Sequence, residues 1–332
     1  MIQDHCISKI AGTGSCLPLR KVSNKEIARR LRVQEDYVFR MTGIHCRYWV
    51  GEGEQCSSLG ERAARQALHQ ANLSQCDVDA IIVSTTSPDM LFPSTACHIQ
   101  RRLGLPPVAA FDIAASCSGF LYGLSMADCF IRSGQFQRCL VVAAEVKSRY
   151  LDPMDQATAM LFGDGAGAAV VVRAEDDQQG ILDIRLFSDG TYHNLITVPA
   201  GGSRLPMSCD TIEKGQHTLQ LQGSAVFRVA VKRLGPAIRE QLDSHNLTIG
   251  HLAHVIFHQA NARLMAALAR RLEIAPAQLF SVIDQIGNAS SASLPIALDM
   301  ANRQGRLQRG DLTLLGAFGG GLTWGTGLIR WG

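Results

Sequence analysis

The sequence predicts an α/β fold made of two halves that share one plan of strands and helices. Short buried strand-like runs alternate with helix-like runs, and the same succession occurs twice along the chain. A hydrophobic content of 46% over 332 residues provides for a large core. With 18% charged residues and no low-complexity tract, the composition excludes disordered, collagenous and coiled-coil proteins.

The repeat consists of matching segments at a fixed distance. LSQCDVDAIIV at 73–83 and LTIGHLAHVIF at 247–257 each follow a helix-like run and end in a buried strand. Leu73 corresponds to Leu247, an offset of 174 that also relates LVVA at 140–143 to LLGA at 314–317. Between them, 111–124 matches 281–298 if Cys117 mirrors Asn288, with a three-residue loop difference. We expect an N-terminal half at 1–175 and a C-terminal half at 176–332, joined within one packed unit at the polar turn 173–179.

Charge and cysteine usage limit the possible partners and compartments. Lys and Arg number 32 against 29 Asp and Glu, and this balance of +3 does not favour nucleic acid as a partner. Residues 1–5 lack the apolar run of a secretory signal, and the uncharged stretch 312–329 is too glycine-rich for a lipid-facing helix. Ten cysteines without regular spacing fit neither a zinc site nor a disulfide framework. We expect a cytoplasmic protein without a metal site or membrane insertion.

Cys117 is the first candidate for chemistry. A strand end at 111–113 leads into a small-residue turn at 114–118, and a helix-like run at 119–133 is closed by Gly134. At such a turn, free backbone N–H groups and the helix dipole are expected to stabilise a thiolate, which suits attack on a thioester. From this local pattern alone, a buried structural thiol is an equal alternative.

His258 and Asn288 are the second and third candidates. His258 follows the buried strand 255–257 at its carboxyl end, where open α/β sheets place their sites, although a core histidine is the commoner case. Asn288 mirrors Cys117 in the second half, and its alternative role is a helix N-cap. Because the repeat brings strand ends of both halves to one region, we expect Cys117, His258 and Asn288 to meet there.

Two glycine runs and an arginine stripe have competing interpretations. FGGG at 318–321 either lets backbone N–H groups approach a substrate oxygen or forms a tight hairpin. GDGAGA at 163–168 precedes a strand-like run instead of a helix, which disfavours dinucleotide binding. Arg263, Arg270 and Arg271 either form a solvated face or dock an acidic carrier protein.

Several motifs in order carry a resemblance to a known family. From GTGSCLP, RMTGI, TTSPDMLFPSTAC and DIAASCSGF to LFGDGAGAAV, VFRVAV, HQAN, GNASSAS and AFGGGLTWG, the chain resembles β-ketoacyl-acyl-carrier-protein synthase III of the thiolase-like superfamily. The resemblance implies a five-layered αβαβα fold and a homodimer. It also implies decarboxylative Claisen condensation of an acyl thioester with a malonyl thioester through an acyl-Cys intermediate, as in the initiation of fatty acid synthesis. Coenzyme A or carrier-protein thioesters would be substrates, acyl carrier protein a partner, and no cofactor would be needed.

The resemblance also implies roles for individual residues. Cys117 would be the acylated nucleophile, His258 and Asn288 the decarboxylation pair, and the backbone N–H groups of Cys117 and Gly320 the oxyanion hole. Phe92 would reach the pocket of the partner subunit, and Phe162 would lie beside the nucleophile. The full substrate-binding set is Tyr37, Phe92, Gln156, Phe162 and Phe318, and the carrier-docking set is Arg228, Arg263, Arg270 and Arg271.

Three positions depart from the family pattern. Family members commonly hold coenzyme A with a Trp and two Arg, whereas the matching positions here are Tyr37, Gln156 and Met41. Tyr37 can still stack, but a neutral Gln and an apolar Met make no cation–π or phosphate contact. We therefore expect a specialised branch, such as initiation of a secondary metabolite or of a dicarboxylate-type chain. Its donor would come on a carrier protein or on a differently held coenzyme A.

Other functional classes stay open. An acyltransferase that passes the acyl group to an alcohol or amine would use the same three residues, so only its product separates it from a condensing enzyme. A non-catalytic partner subunit is expected to lack the triad. Thiolase or HMG-CoA-synthase chemistry needs a second Cys or a further acid that the sequence does not place.

Overall fold

The structure is a computed structural model that describes residues 7–175 and 179–332. Residues 1–5 and part of the expected turn at 173–179 therefore lie outside the described residues. The strands are β1 Ser8–Cys16, β2 Arg20–Ser23, β3 Cys46–Trp49, β4 Ala80–Ser84, β5 Ala109–Ile113, β6 Arg138–Val146, β7 Asp164–Arg173, β8 Gly180–Ser188, β9 Ile196–Thr197, β10 Gln220–Leu221, β11 His254–Phe257, β12 Leu279–Phe280, β13 Leu312–Gly319 and β14 Thr323–Arg330. The α-helices are α1 Asn24–Leu31, α2 Glu35–Thr42, α3 Cys56–Gln70, α4 Thr95–Leu103, α5 Gly119–Arg132, α6 Gln156–Ala159, α7 Cys209–Glu213, α8 Gly223–Ser244, α9 Ala262–Leu272, α10 Ile283–Ile286 and α11 Ser293–Arg303.

Two five-stranded sheets carry the fold, and their strand orders correspond. The first runs β1-β7-β6-β4-β5 and the second β8-β14-β13-β11-β12. In each sheet the last three strands of this order are parallel and the first three are joined antiparallel. The predicted α/β fold with two similar halves is confirmed.

Helices form three layers around the two sheets. The buried faces of α5 and α11 lie between the sheets, in one core with side chains of both, among them Leu121, Leu298, Val141 and Leu315. Helices α3 and α4 cover the outer face of the first sheet. Helices α8 and α9 cover the second, where apolar residues at helical spacing such as Leu264 and Leu268 point inward. The order is αβαβα, as the resemblance implied.

The correspondence between the halves differs from the prediction at one point. A 3₁₀ turn at Ser116–Ser118 precedes α5, and a 3₁₀ turn at Ser290–Ala292 precedes α11, so the offset of 174 continues without a slip. Ser116 and Ser290 even share a left-handed backbone, with φ of 47° and 51°. The counterpart of Cys117 is therefore Ser291, and the pairing of Cys117 with Asn288 was wrong. The second half instead has a longer connection, 281–289, between strand and turn, and Asn288 belongs to it.

The apolar stretch 312–329 forms the antiparallel hairpin β13–β14. Throughout 7–175 and 179–332, no helix combines the length and the apolar character that a membrane crossing requires. The same ranges contain no group of three or more His, Cys, Asp or Glu placed to hold a metal ion.

Candidate active site

A cavity of about 720 Å³ has Cys117, His258 and Asn288 on its lining. The structure thus brings together the three side chains that the sequence predicts as catalytic. Around the mouth the lining residues are exposed, and they include Met41, Gln156, Phe227, Arg228 and Arg263. Deeper in, the lining is buried and mostly apolar, with Phe162, Leu219 and Phe318 beside Lys147 and Ser290.

The turn that carries Cys117 is held by close backbone packing. Ser116 has the left-handed φ noted above, which costs free energy for a residue other than glycine and must be imposed by the surroundings. The end of β13 presses on this turn, because a Cβ at Gly319 would lie 2.6 Å from the Cys117 backbone nitrogen. The glycine run therefore lies in the β13–β14 hairpin and lets β13 approach the Cys117 backbone closely. That its N–H groups also bind a substrate oxygen stays a prediction.

Gly320 follows at the same junction and lies on the cavity lining. A Cβ at Gly320 would lie 3.3 Å from Ser116 Oγ and 3.3 Å from Ile196 Cβ. The backbone around Gly320 therefore passes beside the nucleophile turn, with no side chain of its own between the two.

Burial determines the resting state of Cys117. It raises the pKa of the thiol to about 11, although a hydrogen bond from Ser290 and the charge of Lys147 lower it. The expectation of a stabilised thiolate was therefore wrong for the free protein, because desolvation outweighs the local donors. The Ser290 hydroxyl lies 3.5 Å from Cys117 Sγ.

His258 is neutral and fixed in one orientation. Its backbone N–H donates to the Gly316 carbonyl at the end of β11, and its Nδ1 lies 2.6 Å from Ser293 Oγ. Ser293 Oγ accepts from the Gln259 N–H and still has its hydroxyl hydrogen to donate. In the tautomer in which Nδ1 accepts that hydrogen, the ring proton is on Nε2. Burial lowers the pKa of His258 to about 3, against the opposing charge of Glu145.

Asn288 is tied down through both its backbone and its side chain. Its N–H donates to the Leu161 carbonyl, and its own carbonyl accepts from the Gly163 N–H. The side-chain Oδ1 accepts from the Ser290 N–H at 2.8 Å, as in an Asx turn, and Nδ2 donates to the Ala260 carbonyl at 3.2 Å. Ala260 takes one Nδ2 hydrogen, so the amide can still donate the other to a ligand.

Sequence reasoning missed the polar network behind the nucleophile. Glu145 is fully buried and accepts hydrogen bonds from Ser87 Oγ (2.5 Å), Ser290 Oγ (3.1 Å) and Ser291 Oγ (2.9 Å). Burial by itself raises its pKa, but the Lys147 charge and these donors bring the pKa below its ordinary value. The available signal was the charged pair in AAEVK at 143–147, at the end of an otherwise apolar strand.

The remaining predicted residues lie at different places. Gln156, Phe162 and Phe318 are on the lining, whereas Tyr37 packs half-buried against the cluster around Trp49, away from the lining. Phe92 is 86% exposed and also off the lining. Of the four arginines, Arg228 and Arg263 are at the mouth, and Arg270 and Arg271 lie exposed at the far end of α9.

Comparisons with known proteins identify the family of this chain. Family models described as 3-oxoacyl-[acyl-carrier-protein] synthase III and its C-terminal part match residues 111–190 and 242–331. The β-ketoacyl-[acyl-carrier-protein] synthase III of Alkalilimnicola ehrlichii is 44% identical over 325 residues, covering 98% of this chain and 99% of its own.

Solved structures give the same picture. The 3-oxoacyl-[acyl-carrier-protein] synthase III of Aquifex aeolicus superposes with a TM-score of 0.90 at 39% identity, covering 98% of this chain and 100% of its own. The priming β-ketosynthase of the R1128 polyketide pathway does so with 0.91 at 32% identity, covering 100% and 98%. The chain belongs to the β-ketoacyl-[acyl-carrier-protein] synthase III family of condensing enzymes.

Proposed function

We propose that this chain catalyses the decarboxylative condensation of an acyl thioester with a malonyl thioester to give a β-ketoacyl thioester. The observation that carries the proposal is the meeting of Cys117, His258 and Asn288 on one cavity lining. The proposal uses a thiol that can be acylated, a neutral imidazole in the tautomer with its proton on Nε2, and an amide with a hydrogen to donate.

In the first half-reaction the acyl group moves to Cys117. The Cys117 sulfur forms a bond to the acyl carbon, the donor's C–S bond breaks, and the thiol proton leaves with the released thiol. We assign stabilisation of the tetrahedral oxyanion to the backbone N–H groups of Cys117 and Gly320. In support, both residues line the cavity, and Gly320 lies beside Ser116 of the nucleophile turn. Removing one such donor typically costs about 3 kcal/mol of transition-state stabilisation.

In the second half-reaction a malonyl thioester loses CO₂ and attacks the acyl group. His258 Nε2–H and Asn288 Nδ2–H donate to the thioester carbonyl oxygen and stabilise the enolate that CO₂ leaves behind. A pKa of about 3 keeps His258 from being a cation, so it acts as a neutral hydrogen-bond donor. The enolate carbon then bonds to the acyl carbon, the C–S bond to Cys117 breaks, and the thiolate takes up a proton. No metal or redox cofactor has a role in this scheme.

The donor is proposed to arrive on an acyl carrier protein or a differently held coenzyme A, in a specialised pathway. Gln156 and Met41 lie at the mouth, so the family's arginine contacts to coenzyme A are replaced by a neutral and an apolar side chain. Two exposed cations, Arg228 and Arg263, remain at the mouth and suit an acidic carrier protein. Arg270 and Arg271 would extend this basic surface along α9.

We also propose a homodimer, working in the cytoplasm. Leu91 and Phe92 are 88% and 86% exposed next to the half-exposed Met90, an apolar tip that a second copy of the chain would cover. The nine cysteines within the described ranges are all free, in keeping with a reducing compartment.

Intact-protein mass spectrometry tests the proposal. Wild type, Cys117→Ala, His258→Ala and Asn288→Ala are incubated with acyl-coenzyme A and acyl-carrier-protein donors, before and after addition of malonyl carrier protein. The proposal expects an adduct on every protein except Cys117→Ala, and discharge to a β-keto product by wild type alone. An adduct on wild type that malonyl carrier protein leaves intact would instead indicate acyl transfer to an alcohol or amine. Wild type that takes no adduct from any donor would indicate a non-catalytic subunit.

A further inference from the structure

A buried cation lies on the cavity lining that the proposed chemistry does not use. The Lys147 side chain is 9% exposed and lines the same cavity as Cys117, in its buried and mostly apolar part. The other lysine and arginine side chains on this lining, Arg228 and Arg263, are exposed at the mouth. A buried ammonium is costly unless it is paired, so its presence on this wall needs an explanation.

The position of the ammonium group is fixed. Lys147 follows directly after β6, and its Nζ lies 3.1 Å from Glu145 Oε2 and 2.5 Å from Thr86 Oγ1. Thr86 also lies on the cavity lining. An ammonium has three hydrogens, so two are engaged by these partners and the third can be donated to a ligand.

Glu145 does not depend on Lys147 alone. Its carboxylate also accepts from four hydroxyls, those of Thr86, Ser87, Ser290 and Ser291, and from the Thr86 N–H. Because these neutral donors already satisfy the Glu145 oxygens, Lys147 can share its charge with a second carboxylate without leaving the first one unpaired.

The chemistry of the cavity decides what that second carboxylate belongs to. The malonyl carboxylate is a poor candidate, because a cation beside it would stabilise the ground state that CO₂ loss must destroy. A plain hydrocarbon acyl chain would gain from Phe162, Leu219 and Phe318 but nothing from an ammonium. An acyl group on Cys117 that ends in an unreactive carboxylate would use both features of the lining. Its chain would contact the apolar side chains, and its carboxylate would bind the Lys147 ammonium.

We propose that Lys147 selects acyl donors that are half-thioesters of dicarboxylic acids, by binding their free carboxylate. The inference deepens the proposed function and rests on its first half-reaction only. In that step the Cys117 sulfur bonds to the thioester carbon, the donor thiol leaves with the Cys117 proton, and the far carboxylate is unchanged.

The test compares acyl donors that differ only in the charge at the end of the acyl chain remote from the thioester. Succinyl- and glutaryl-coenzyme A are matched with their monomethyl esters, which have nearly the same shape without the charge, and acylation of Cys117 is followed by intact mass. Wild type should be acylated by at least one free acid tenfold or more faster than by its ester. Lys147→Met should lose that preference or reverse it, and Lys147→Arg should keep a large part of it. Lys214→Met, which replaces an exposed lysine directly after α7, is the matched control and should behave as wild type.

Two results would overturn the inference. Wild type that shows no preference for either free acid would remove the selective role, and this result does not depend on any variant folding. If Lys147→Met slows acylation by the free acid and by the ester equally, Lys147 only supports Glu145.

Discharge of the acyl group by malonyl carrier protein is measured separately, because it tests the proposed condensation and not the selectivity. A glutaryl or succinyl adduct that forms selectively and is not discharged would end the proposed condensation and leave the selectivity standing.

Discussion

At the residue scale, burial gives Cys117 and His258 opposite protonation behaviour. Desolvation raises the thiol pKa to about 11 and lowers the imidazole pKa to about 3, so both groups rest in their neutral forms. The cavity lining thus carries a thiol and a neutral imidazole at rest, not a thiolate–imidazolium pair. Acyl transfer then depends on deprotonation of Cys117 when the donor is bound, and enolate stabilisation depends on the neutral His258.

The raised pKa of Cys117 predicts the pH dependence of its alkylation. Only the thiolate reacts with iodoacetamide, and its fraction rises about tenfold per pH unit below the pKa. The rate for the Cys117 peptide, followed by mass spectrometry, should therefore still be rising log-linearly between about pH 7 and pH 9. A plateau below about pH 8.5 would contradict it, because the thiolate would then already predominate.

Ser290 should tune this reactivity where its neighbour does not. Both Ser290 and Ser291 donate to Glu145 Oε1, but only Ser290 also lies within 3.5 Å of Cys117 Sγ. The single hydroxyl hydrogen of Ser290 must turn from Glu145 to the sulfur when Cys117 ionises, and Glu145 then keeps its other donors. Losing that hydrogen bond to the thiolate, about 1 kcal/mol, corresponds to roughly fivefold slower alkylation for Ser290→Ala at fixed pH. Ser291→Ala is the control, and equal rates for the two variants would show that the Ser290 hydroxyl does not act on the sulfur.

Some residues of the site could be predicted from the sequence and others could not. Cys117 and His258 could be predicted because a strand end and a small-residue turn leave a local pattern. Glu145, Ser290 and Ser293 could not, because their importance comes from contacts across the chain, such as Ser293 with His258 Nδ1. The raised pKa of Cys117 could not be predicted for the same reason, because desolvation depends on packing. The prediction of a stabilised thiolate considered only the local turn and the helix dipole.

At the element scale, the β13–β14 hairpin positions the nucleophile turn. Gly319 permits contact with the Cys117 backbone that a side chain would prevent. The offset of 174 residues predicted from the segments of β4 and β11 is correct. The predicted three-residue slip is wrong, because the small residues in 114–118 and 287–292 can be aligned in several ways. The 3₁₀ turns before α5 and α11, with the shared left-handed φ of Ser116 and Ser290, show which alignment is right.

Gly319→Ala should damage the site through the backbone. The new Cβ would meet the Cys117 nitrogen at 2.6 Å, so the turn or the strand must move, at a cost of about 1–3 kcal/mol. We expect a lower urea midpoint and at least tenfold slower acylation of Cys117. Gly202→Ala is the control, because a Cβ at Gly202 has no heavy atom within 4 Å, and similar losses in both variants would rule out this specific contact.

At the scale of the whole molecule, the central helix layer makes the two halves one cooperative unit. Leu121 of α5 and Leu298 of α11 share a core with strands of both sheets. The cavity depends on this arrangement, because Cys117 comes from one half and His258 and Asn288 from the other. The αβαβα order could be predicted through the family resemblance, whereas the side chains between the sheets could not.

Unfolding should therefore occur in one step for both halves. Trp49 lies in β3 and Trp324 in β14, so variants that keep only one tryptophan report on each half separately. Urea titrations followed by fluorescence should give coincident midpoints. Leu121→Ala should lower both equally, with a cost of about 2–5 kcal/mol. Two separated transitions, or a shift of the Trp49 midpoint alone, would refute a shared core.

The central claim is that an acyl group on Cys117 is consumed by a decarboxylating malonyl thioester under the control of His258 and Asn288. A single-turnover experiment tests it directly: purified acyl-enzyme is mixed with carboxyl-labelled malonyl carrier protein, and released CO₂ and remaining acyl-enzyme are followed together. We predict one CO₂ and one β-ketoacyl product for each acyl group lost, and His258→Ala that keeps its acyl group and releases no CO₂ on this time scale. Acyl groups lost from wild type without CO₂ release, or CO₂ released without loss of the acyl group, would contradict the assignment.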